Sequence, residues 1–306
     1  MVGLVTPGCN PRPAPPLDRP RPSGMIAAEV GGYGSASMAE IDIGLVGCAG
    51  RMGVALINEI TTTPGCRLAG AVERADSPAL GRDAGALAGL DQLGVAISDD
   101  ARALFASAAA VIEFSTAEST AAHAELAARH RTPYVIGTTG LDPVQSAAVR
   151  AAAKTAAIVW APNMSIGVNL LLALTERVAA ILDPAWDIEI VELHHRHKLD
   201  APSGTALALG RAAASGRKVE LDRIADRGRD GMTGARVAGH IGFAALRGGD
   251  AVGDHSVMFL AAGERIELSH RASSRRIYAA GAVRAALWLQ KRAPGLYGMR
   301  DVLGLV

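Results

Sequence analysis

Two hydrophobic periodicities alternate along the chain from residue 41 to residue 160. Short apolar runs, typical of buried strands, are separated by longer stretches with the spacing of amphipathic helices. The apolar runs predict strands from 41 onward and over 67–72, 95–98, 109–114, 133–137 and 157–160, and the longer stretches predict helices over 54–61, 117–130 and 143–155. Strands and helices that alternate in this way form a parallel sheet through right-handed crossovers.

The pattern changes after residue 165, where the predicted strands follow one another more directly. Helices are predicted over 168–182, 205–210 and 277–290, and strands over 186–193, 239–247, 256–260 and 264–270. Ser274 can cap the last helix. The fold class is therefore α/β, with a parallel sheet first and an α+β region after it.

Residues 1–38 follow neither pattern. Seven of the 15 prolines lie there, between arginines and glycines. The segment lacks the apolar centre of a signal peptide, and its proline density does not suit the amphipathic helix of a transit peptide. We expect a disordered, proline-rich tail or an upstream start codon, with Met38 as the physiological start.

Three glycines spaced three apart follow the first strand directly. Gly47, Gly50 and Gly53 permit a tight turn into a helix whose first N–H groups can bind a pyrophosphate. The spacing is GxxGxxG rather than GxGxxG, so alone it also suits an ordinary turn.

Glu73 ends the second strand about 20 residues later, where a Rossmann unit places its ribose-binding acid. Arg74 follows, and because a carboxylate suits NAD while a guanidinium suits the 2′-phosphate of NADP, both cofactors stay open.

Small polar residues stand at three further strand ends, where the ligands of parallel sheets bind. These segments are 114–116, 137–140 and 161–165. Their size suits close contact with a nicotinamide or its ribose, and each is equally compatible with an ordinary turn.

A dense cationic segment follows the strand predicted over 186–193. Three histidines and two permanent cations occupy residues 194–198. So much positive charge is unfavourable unless an anion binds, so the segment predicts a dicarboxylate or polyanionic ligand. The Pro-Ser-Gly-Thr run at 202–205 is typical of a helix N-terminus, whose N–H groups would add a carboxylate site. Adjacent histidine and lysine side chains also suit proton transfer.

Two other interpretations of this segment stay open. Imidazoles at 195 and 197 would share one face of a strand and could bind zinc. Arg196 and Lys198 would repel a dication, however, and no cysteine or clear third ligand accompanies the histidines. We therefore predict no metal site. An exposed histidine-rich loop without a role is the other interpretation.

Charge and cysteine content narrow the class of protein. The 31 Lys and Arg residues nearly balance the 30 Asp and Glu residues, so no excess positive charge favours nucleic acid or an anionic membrane. Three cysteines without paired spacing do not predict a disulfide framework, and we expect a cytoplasmic protein. The longest uncharged run, 155–175, contains proline, asparagine and glycine, and we interpret it as a strand, a polar loop and a helix start.

The run Glu-Leu-His-His-Arg-His-Lys-Leu-Asp-Ala-Pro-Ser-Gly-Thr-Ala over 192–206 is long and chemically unusual. Together with the glycine-rich turn at 47–53 and the Gly-Thr-Thr-Gly run at 137–140, it closely resembles the 4-hydroxy-tetrahydrodipicolinate reductases, also called dihydrodipicolinate reductases, of lysine and diaminopimelate biosynthesis. The resemblance covers the chain after the tail and includes 241–255 and 299–303.

This resemblance implies an NAD(P)H-dependent reduction of a cyclic dicarboxylate to tetrahydrodipicolinate with loss of water. It implies a Rossmann-type nucleotide-binding domain over 39–165 and 275–306 and an α+β domain over 166–274. The second domain would bind the substrate and assemble a homotetramer through its sheet. The small-molecule substrate and NADH or NADPH would be the partners.

The resemblance also implies the roles of individual residues. His194 would donate and accept a proton, and Lys198 would be the proton donor. His195, with the backbone of Gly204 and Thr205, would hold the substrate carboxylates. The cofactor would contact Gly47, Cys48, Ala49, Gly50, Arg51, Met52, Glu73, Arg74, Gly137, Thr138, Thr139, Ala161, Pro162, Asn163 and Met164.

Two positions depart from the family pattern. Thr116 stands where members often carry an arginine. The contact that this arginine would make with the adenosine or its phosphate is therefore in doubt here. Met164 replaces a common phenylalanine and would still present apolar surface near the nicotinamide. Two other functions remain compatible with the residues: another two-domain dehydrogenase that reduces an amino-acid-derived imine, and a nucleotide sensor without turnover.

Overall fold

The computed structural model describes residues 40–305, and the tail predicted over residues 1–38 lies outside this range. The strands are β1 (Ile41–Val46), β2 (Cys66–Val72), β3 (Ile97–Ser98), β4 (Ala110–Glu113), β5 (Tyr134–Ile136), β6 (Ala157–Trp160), β7 (Asp187–His194), β8 (Ala225–Asp226), β9 (Ile241–Arg247), β10 (Gly253–Ala261), β11 (Glu264–Ala272) and β12 (Gly295–Tyr297). The helices are α1 (Arg51–Thr62), α2 (Ala84–Leu87), α3 (Ala101–Ser107), α4 (Ala117–His130), α5 (Pro143–Ala152), α6 (Ile166–Ile181), α7 (Gly204–Gly216), α8 (Leu221–Ile224), α9 (Arg276–Leu289) and α10 (Met299–Leu303).

Seven parallel strands form the first sheet, in the order β12-β6-β5-β4-β1-β2-β3. The chain runs outward from β1 in two directions, first to β2 and β3 and then through β4, β5 and β6. A crevice therefore opens beyond the carboxyl ends of β1 and β4, where such sheets bind their ligands. This arrangement confirms the Rossmann-type parallel sheet predicted from the sequence.

Helices cover both faces of this sheet, which explains why its strands are continuous apolar runs. On one face, Ile57 of α1 and Ala282 of α9 belong to the same buried cluster as Leu45 of β1. On the other face, Phe105 of α3 meets the ring of Tyr134 edge to face, with centroids 5.2 Å apart. The two buried layers hold the strand ends rigidly at the crevice.

The second sheet is mixed, in the order β11-β10-β7-β9-β8. β10 runs antiparallel to β7 and β11, whereas β9 runs parallel to β7 and β8. Helices α6 and α7 pack on one face through a core that includes Leu171, Ile190, Leu209, Phe243 and Phe259. This mixed sheet and its two helices confirm the α+β region predicted after residue 165.

The chain returns to the first sheet after β11. Helix α9 packs against α1, and β12 pairs with β6 as an edge strand. The division of the chain into domains at residues 165 and 275 stays a prediction.

The uncharged run over 155–175 forms β6, a polar loop and the first half of α6, as the sequence predicts. Within residues 40–305, none of the helices combines the length and the hydropathy that a membrane span requires.

Candidate active site

Two glycines of the turn between β1 and α1, Gly47 and Gly53, lie too close to neighbouring backbone to carry side chains. Gly47 has a φ of 78°, and a Cβ there would lie 2.3 Å from the carbonyl oxygen of Phe114. Gly50 precedes α1 and brings no side chain to cap it. The first amides of α1 therefore have no capping side chain, which suits a phosphate. The helix begins at Arg51 and not at 54 as predicted, because the last glycine lies inside its first turn.

Glu73 and Arg74 line a cavity of about 810 Å³ at the carboxyl ends of β1, β2 and β4. Glu73 Oε1 accepts a hydrogen bond from the backbone N–H of Ala49 at 2.9 Å, so the acid is tied to the glycine-rich turn. The Arg74 guanidinium lies 3.0 Å from the carboxylate of Asp76 and is well exposed. A cavity of this size with an acid and a guanidinium at its edge fits the adenosine half of a dinucleotide.

A second cavity of about 320 Å³ is separated from the first by Phe114, which lines both. It brings together residues from four of the predicted cofactor segments and from α9. Its lining is Arg51, Met52, Phe114, Gly137, Ala161, Pro162, Asn163, Met164, Arg275 and Tyr278. The position and apolar lining of this cavity suit a nicotinamide ring.

Three predicted cofactor residues lie outside both cavities. The Cys48 side chain is fully buried in the core, and burial raises the pKa of its thiol to about 12, so only its backbone can face a ligand. Thr138 is buried and accepts a hydrogen bond from the backbone N–H of Ser115 at 3.1 Å, which fixes the strand end. Thr139 is exposed.

Both departures from the family pattern have a place in the structure. Thr116 is the N-cap of α4 and accepts a hydrogen bond from the backbone N–H of Ser119 at 3.3 Å. Met164 is almost fully buried and lines the second cavity. Neither change therefore disturbs the local fold.

The cationic segment 194–198 lies at the carboxyl end of β7. The strand ends at His194, after which the backbone N–H of His195 donates to the carbonyl of Ala251 at 2.8 Å. The premise that His195 and His197 share one face of a strand is therefore wrong. Both lie in a turn, because pairing with β10 ends before them, and their ring centroids are 6.2 Å apart.

Lys198 and His195 lie in different surroundings within the cationic segment. Lys198 Nζ donates to Asp200 Oδ1 at 2.7 Å, and this hydrogen bond lowers the pKa of the Asp200 carboxyl. Burial, and then the charge of Arg275, lower the pKa of His195. His195 Nδ1 is buried without a hydrogen-bond partner among residues 40–305.

Helix α7 begins as the Pro-Ser-Gly-Thr run predicts. Ser203 is its N-cap and accepts from the backbone N–H of Ala206 at 3.1 Å, and a side chain at Gly204 would meet nothing within 4 Å. The Asn163 side chain donates to Thr205 Oγ1 at 3.3 Å. This hydrogen bond joins the second cavity to the start of α7, so the predicted cofactor and substrate residues are adjacent.

Sequence reasoning assigned no role to a polar cluster beneath this site. Glu192 is almost fully buried on β7, between His194 Nδ1 at 2.6 Å and the Arg247 guanidinium at 2.8 Å. His255 of β10 is also buried, lies 3.0 Å from Ser203 Oγ, and has its ring centroid 5.1 Å from that of His194. The signal in the sequence is the two-residue spacing of Glu192 and His194, which puts both on one face of a strand.

Burial, and then the charge of His194, lower the pKa of His255 from 6.5 to about 4. The folded protein therefore keeps His255 neutral at pH values where the unfolded chain is protonated. The free energy of unfolding should fall as pH decreases from 6.5 to about 4, by about 3 kcal/mol from this residue alone. Urea denaturation at several pH values, with the His255→Gln variant beside the wild type, measures this contribution.

His130→Gln is the matched control, because His130 is exposed at the end of α4. It should leave the pH dependence of unfolding as in the wild type. The assignment to His255 fails if His255→Gln shows the same dependence as the wild type.

Comparison with known proteins agrees with this geometry. The family described as "Dihydrodipicolinate reductase, N-terminus" matches residues 41–164, and "Dihydrodipicolinate reductase, C-terminus" matches residues 167–303. A 4-hydroxy-tetrahydrodipicolinate reductase of Ruegeria pomeroyi is 56% identical over 261 residues, which are 85% of this chain and 97% of the relative. A 4-hydroxy-tetrahydrodipicolinate reductase 1 of Mesorhizobium japonicum is 57% identical over 267 residues, 86% of this chain and 98% of the relative.

Among solved structures, the dipicolinate-bound dihydrodipicolinate reductase from Paenisporosarcina sp. TG-14 has the same fold. Its TM-score is 0.70 at 22% sequence identity, over 86% of this chain and 99% of that one. The two family matches together cover nearly all of residues 41–303, including the glycine-rich turn, the cationic segment and the start of α7. The chain therefore belongs to the dihydrodipicolinate reductase family.

Proposed function

We propose that this chain reduces 4-hydroxy-tetrahydrodipicolinate to tetrahydrodipicolinate with release of water, using NADH or NADPH, in lysine and diaminopimelate biosynthesis. The observation that carries the proposal is the hydrogen bond between Asn163 and Thr205. It joins the apolar cavity that suits a nicotinamide to the start of α7, whose amides suit a carboxylate of the cyclic substrate. Membership of the reductase family, and the dipicolinate bound to the solved relative, support the same assignment.

The described residues fit a pyridine nucleotide, and when bound its reduced nicotinamide supplies a hydride. The backbone from Gly47 to Met52 would hold the pyrophosphate at the start of α1. Glu73 would receive the ribose hydroxyls. Ala161 to Met164 and Gly137 would form the wall against the nicotinamide.

The cationic segment would bind and protonate the substrate. His195 and the backbone of Gly204 and Thr205 would hold the two carboxylates, the roles that the family resemblance implies, and the amides at the start of α7 suit an anion. Lys198 Nζ would deliver a proton, and His194 would accept and return one at its ring. Cations placed where negative charge develops lower the barrier further.

The assay that tests this function couples the purified chain to dihydrodipicolinate synthase and follows the oxidation of NADH and of NADPH. Turnover that depends on the synthase supports the proposal. Turnover only with other amino-acid-derived imines would assign a different dehydrogenase, and tight NADH binding without any turnover would assign a nucleotide sensor.

Glu73→Ala should chiefly change cofactor preference, raising the ratio of kcat/KM for NADPH to that for NADH by about tenfold. The carboxylate suits ribose hydroxyls and repels a 2′-phosphate, so its loss favours NADPH. Arg74→Ala is the reciprocal variant and should move the ratio the opposite way, because it removes the guanidinium beside that phosphate. Steady-state kinetics with both cofactors measure the ratio, and a shift in the same direction for both variants would contradict these roles.

We also propose a cytoplasmic homotetramer that assembles through the second sheet. The face of this sheet opposite α6 and α7 carries apolar side chains that are half-buried or exposed. They are Val191, Leu193, Ala244, Leu246, Met258 and Leu260. Burial of such a face between copies would remove apolar surface from water. Light scattering of the wild type and a Leu246→Glu variant tests the assembly, and a monomeric wild type would refute it.

A further inference from the structure

Glu192 lies one layer beneath the proposed catalytic residues and has no part in the function proposed above. We propose that Glu192 is a positioning residue, which holds the His194 ring with its proton on Nδ1 and so leaves Nε2 to exchange a proton with the substrate. The effect on kcat that this inference predicts rests on the proposed function. The tautomer of His194 does not depend on the proposed function.

The carboxylate of Glu192 has a hydrogen-bond partner on every side. Oε1 accepts from Arg247 Nη2 at 2.8 Å and from the backbone N–H of Ser203 at 3.1 Å. Oε2 accepts from Arg247 Nη1 at 2.8 Å and lies 2.6 Å from His194 Nδ1. Two parallel bonds from one guanidinium fix the plane of the carboxylate, so Oε2 is directed at the imidazole.

The charge state of Glu192 decides which atom carries the hydrogen. Burial opposes ionisation of this group, but the hydrogen bonds from Arg247 and His194 outweigh it, and the pKa of the carboxyl is lowered. Glu192 is therefore a carboxylate at neutral pH and can only accept hydrogen bonds. His194 Nδ1 must donate, so in the neutral ring Nε2 is the atom free to take a proton.

The backbone of Gly253 on β10 approaches Nε2 closely and places no side chain over it. A Cβ at Gly253 would lie 2.8 Å from Nε2, so a side chain there would cover this atom. The charged and titratable groups around the His194 ring are Glu192 on its own strand, Arg247 on β9, His255 on β10, and His195 and Lys198 in the following turn. Glu192 is the anion among these five, and it contacts Nδ1 directly.

The contact also links the catalytic strand to the substrate helix. Ser203 donates its backbone N–H to Glu192 and uses its hydroxyl to cap α7. One carboxylate therefore sets both the His194 ring and the start of α7. A shift of Glu192 would misplace the proton-transfer atom relative to the carboxylate site, and small misplacements are costly in catalysis.

The first experiment needs no enzymatic activity. Nitrogen NMR of the wild-type protein, labelled at histidine, reports whether His194 is protonated at Nδ1 or at Nε2 in its neutral form. His194→Gln identifies the His194 signal. We expect the Nδ1–H tautomer, and finding His194 as the Nε2–H tautomer would overturn the inference even if the protein is an active reductase.

The second experiment compares Glu192→Gln with Glu189→Gln. Glu189 lies on the same strand and is also bound by arginines, Arg229 and Arg236, but has no histidine partner in the part of the chain that the structure describes. Glu192→Gln should lower kcat by on the order of 10²-fold with little change in the KM for NADH, shift the pH profile of kcat, and yield a mixture of His194 tautomers. Glu189→Gln should change none of these.

The Glu192→Asp variant distinguishes the proposed positioning role from a general loss of structure. A shorter carboxylate retains the charge and should restore part of kcat, together with the Nδ1–H tautomer. Equal losses of kcat in the Glu192→Gln and Glu189→Gln variants, or a folded Glu192→Gln with the wild-type tautomer and pH profile, would show that Glu192 is merely structural. A wild type without reductase activity would refute the proposed function while leaving the tautomer result to decide this inference.

Discussion

Lys198→Ala is expected to lower kcat by on the order of 10²- to 10⁴-fold, the usual contribution of a general acid. The amine is largely shielded from solvent, is paired with Asp200 at 2.7 Å, and follows the strand that carries His194. In the proposed function, its loss would remove both the proton donor and a positive charge toward the dicarboxylate. Steady-state kinetics give the effect, and circular dichroism checks that the fold is unchanged.

Lys154→Ala is the matched control for this variant, since Lys154 is exposed and lies after α5, outside both cavities. It should retain wild-type kcat. Asp200→Asn removes the partner but leaves the amine, so its effect should be smaller than that of Lys198→Ala. A near-normal kcat in Lys198→Ala would remove this residue from the mechanism.

Gly47→Ala is expected to weaken NADH binding by at least about tenfold. The residue has a φ of 78°, which costs a side-chain-bearing residue roughly 1–2 kcal/mol, and its Cβ would lie 2.3 Å from the Phe114 carbonyl oxygen. The turn must therefore move away from β4, and the amides that would hold the pyrophosphate move with it. Titration of NADH by fluorescence measures the Kd, and thermal unfolding measures the accompanying loss of stability.

Gly65→Ala separates backbone strain from displacement of the turn. Gly65 has a nearly identical φ of 76°, but a Cβ there would meet nothing within 4 Å. It should lower stability modestly and leave the Kd for NADH unchanged. Equal weakening of NADH binding in both variants would mean that the turn at Gly47 does not hold the cofactor.

Local patterns were enough to predict the parts of the fold that position the chemistry. The apolar run before Gly47, the amphipathic stretch of α4 and the Ser203 cap each determine structure within a few residues. The short elements α2, β8, β12 and α10 were not predicted, because two to five residues hold too little periodicity. Helix α3 was not predicted either, since its alanine-rich sequence offers little contrast between its polar and apolar faces.

The polar cluster beneath the site could not be predicted, because distant segments form it. Glu192 and Arg247 are separated by 55 residues, and they meet through the parallel pairing of β7 with β9. His255 joins them from β10, which runs in the opposite direction. No local spacing encodes these pairings, whereas the consecutive charges at 194–198 could be read directly.

The position of β12 has a consequence for how the chain folds as it is synthesised. The first sheet begins with β1, yet its far edge is supplied by a strand that follows all the residues of the second sheet. Helix α9, which helps bury α1, is also made late. A nascent chain that has produced β1 to β6 therefore still exposes the edge of β6 and the apolar face that α9 covers, so the first sheet can be completed only after all the residues of the second sheet have been made.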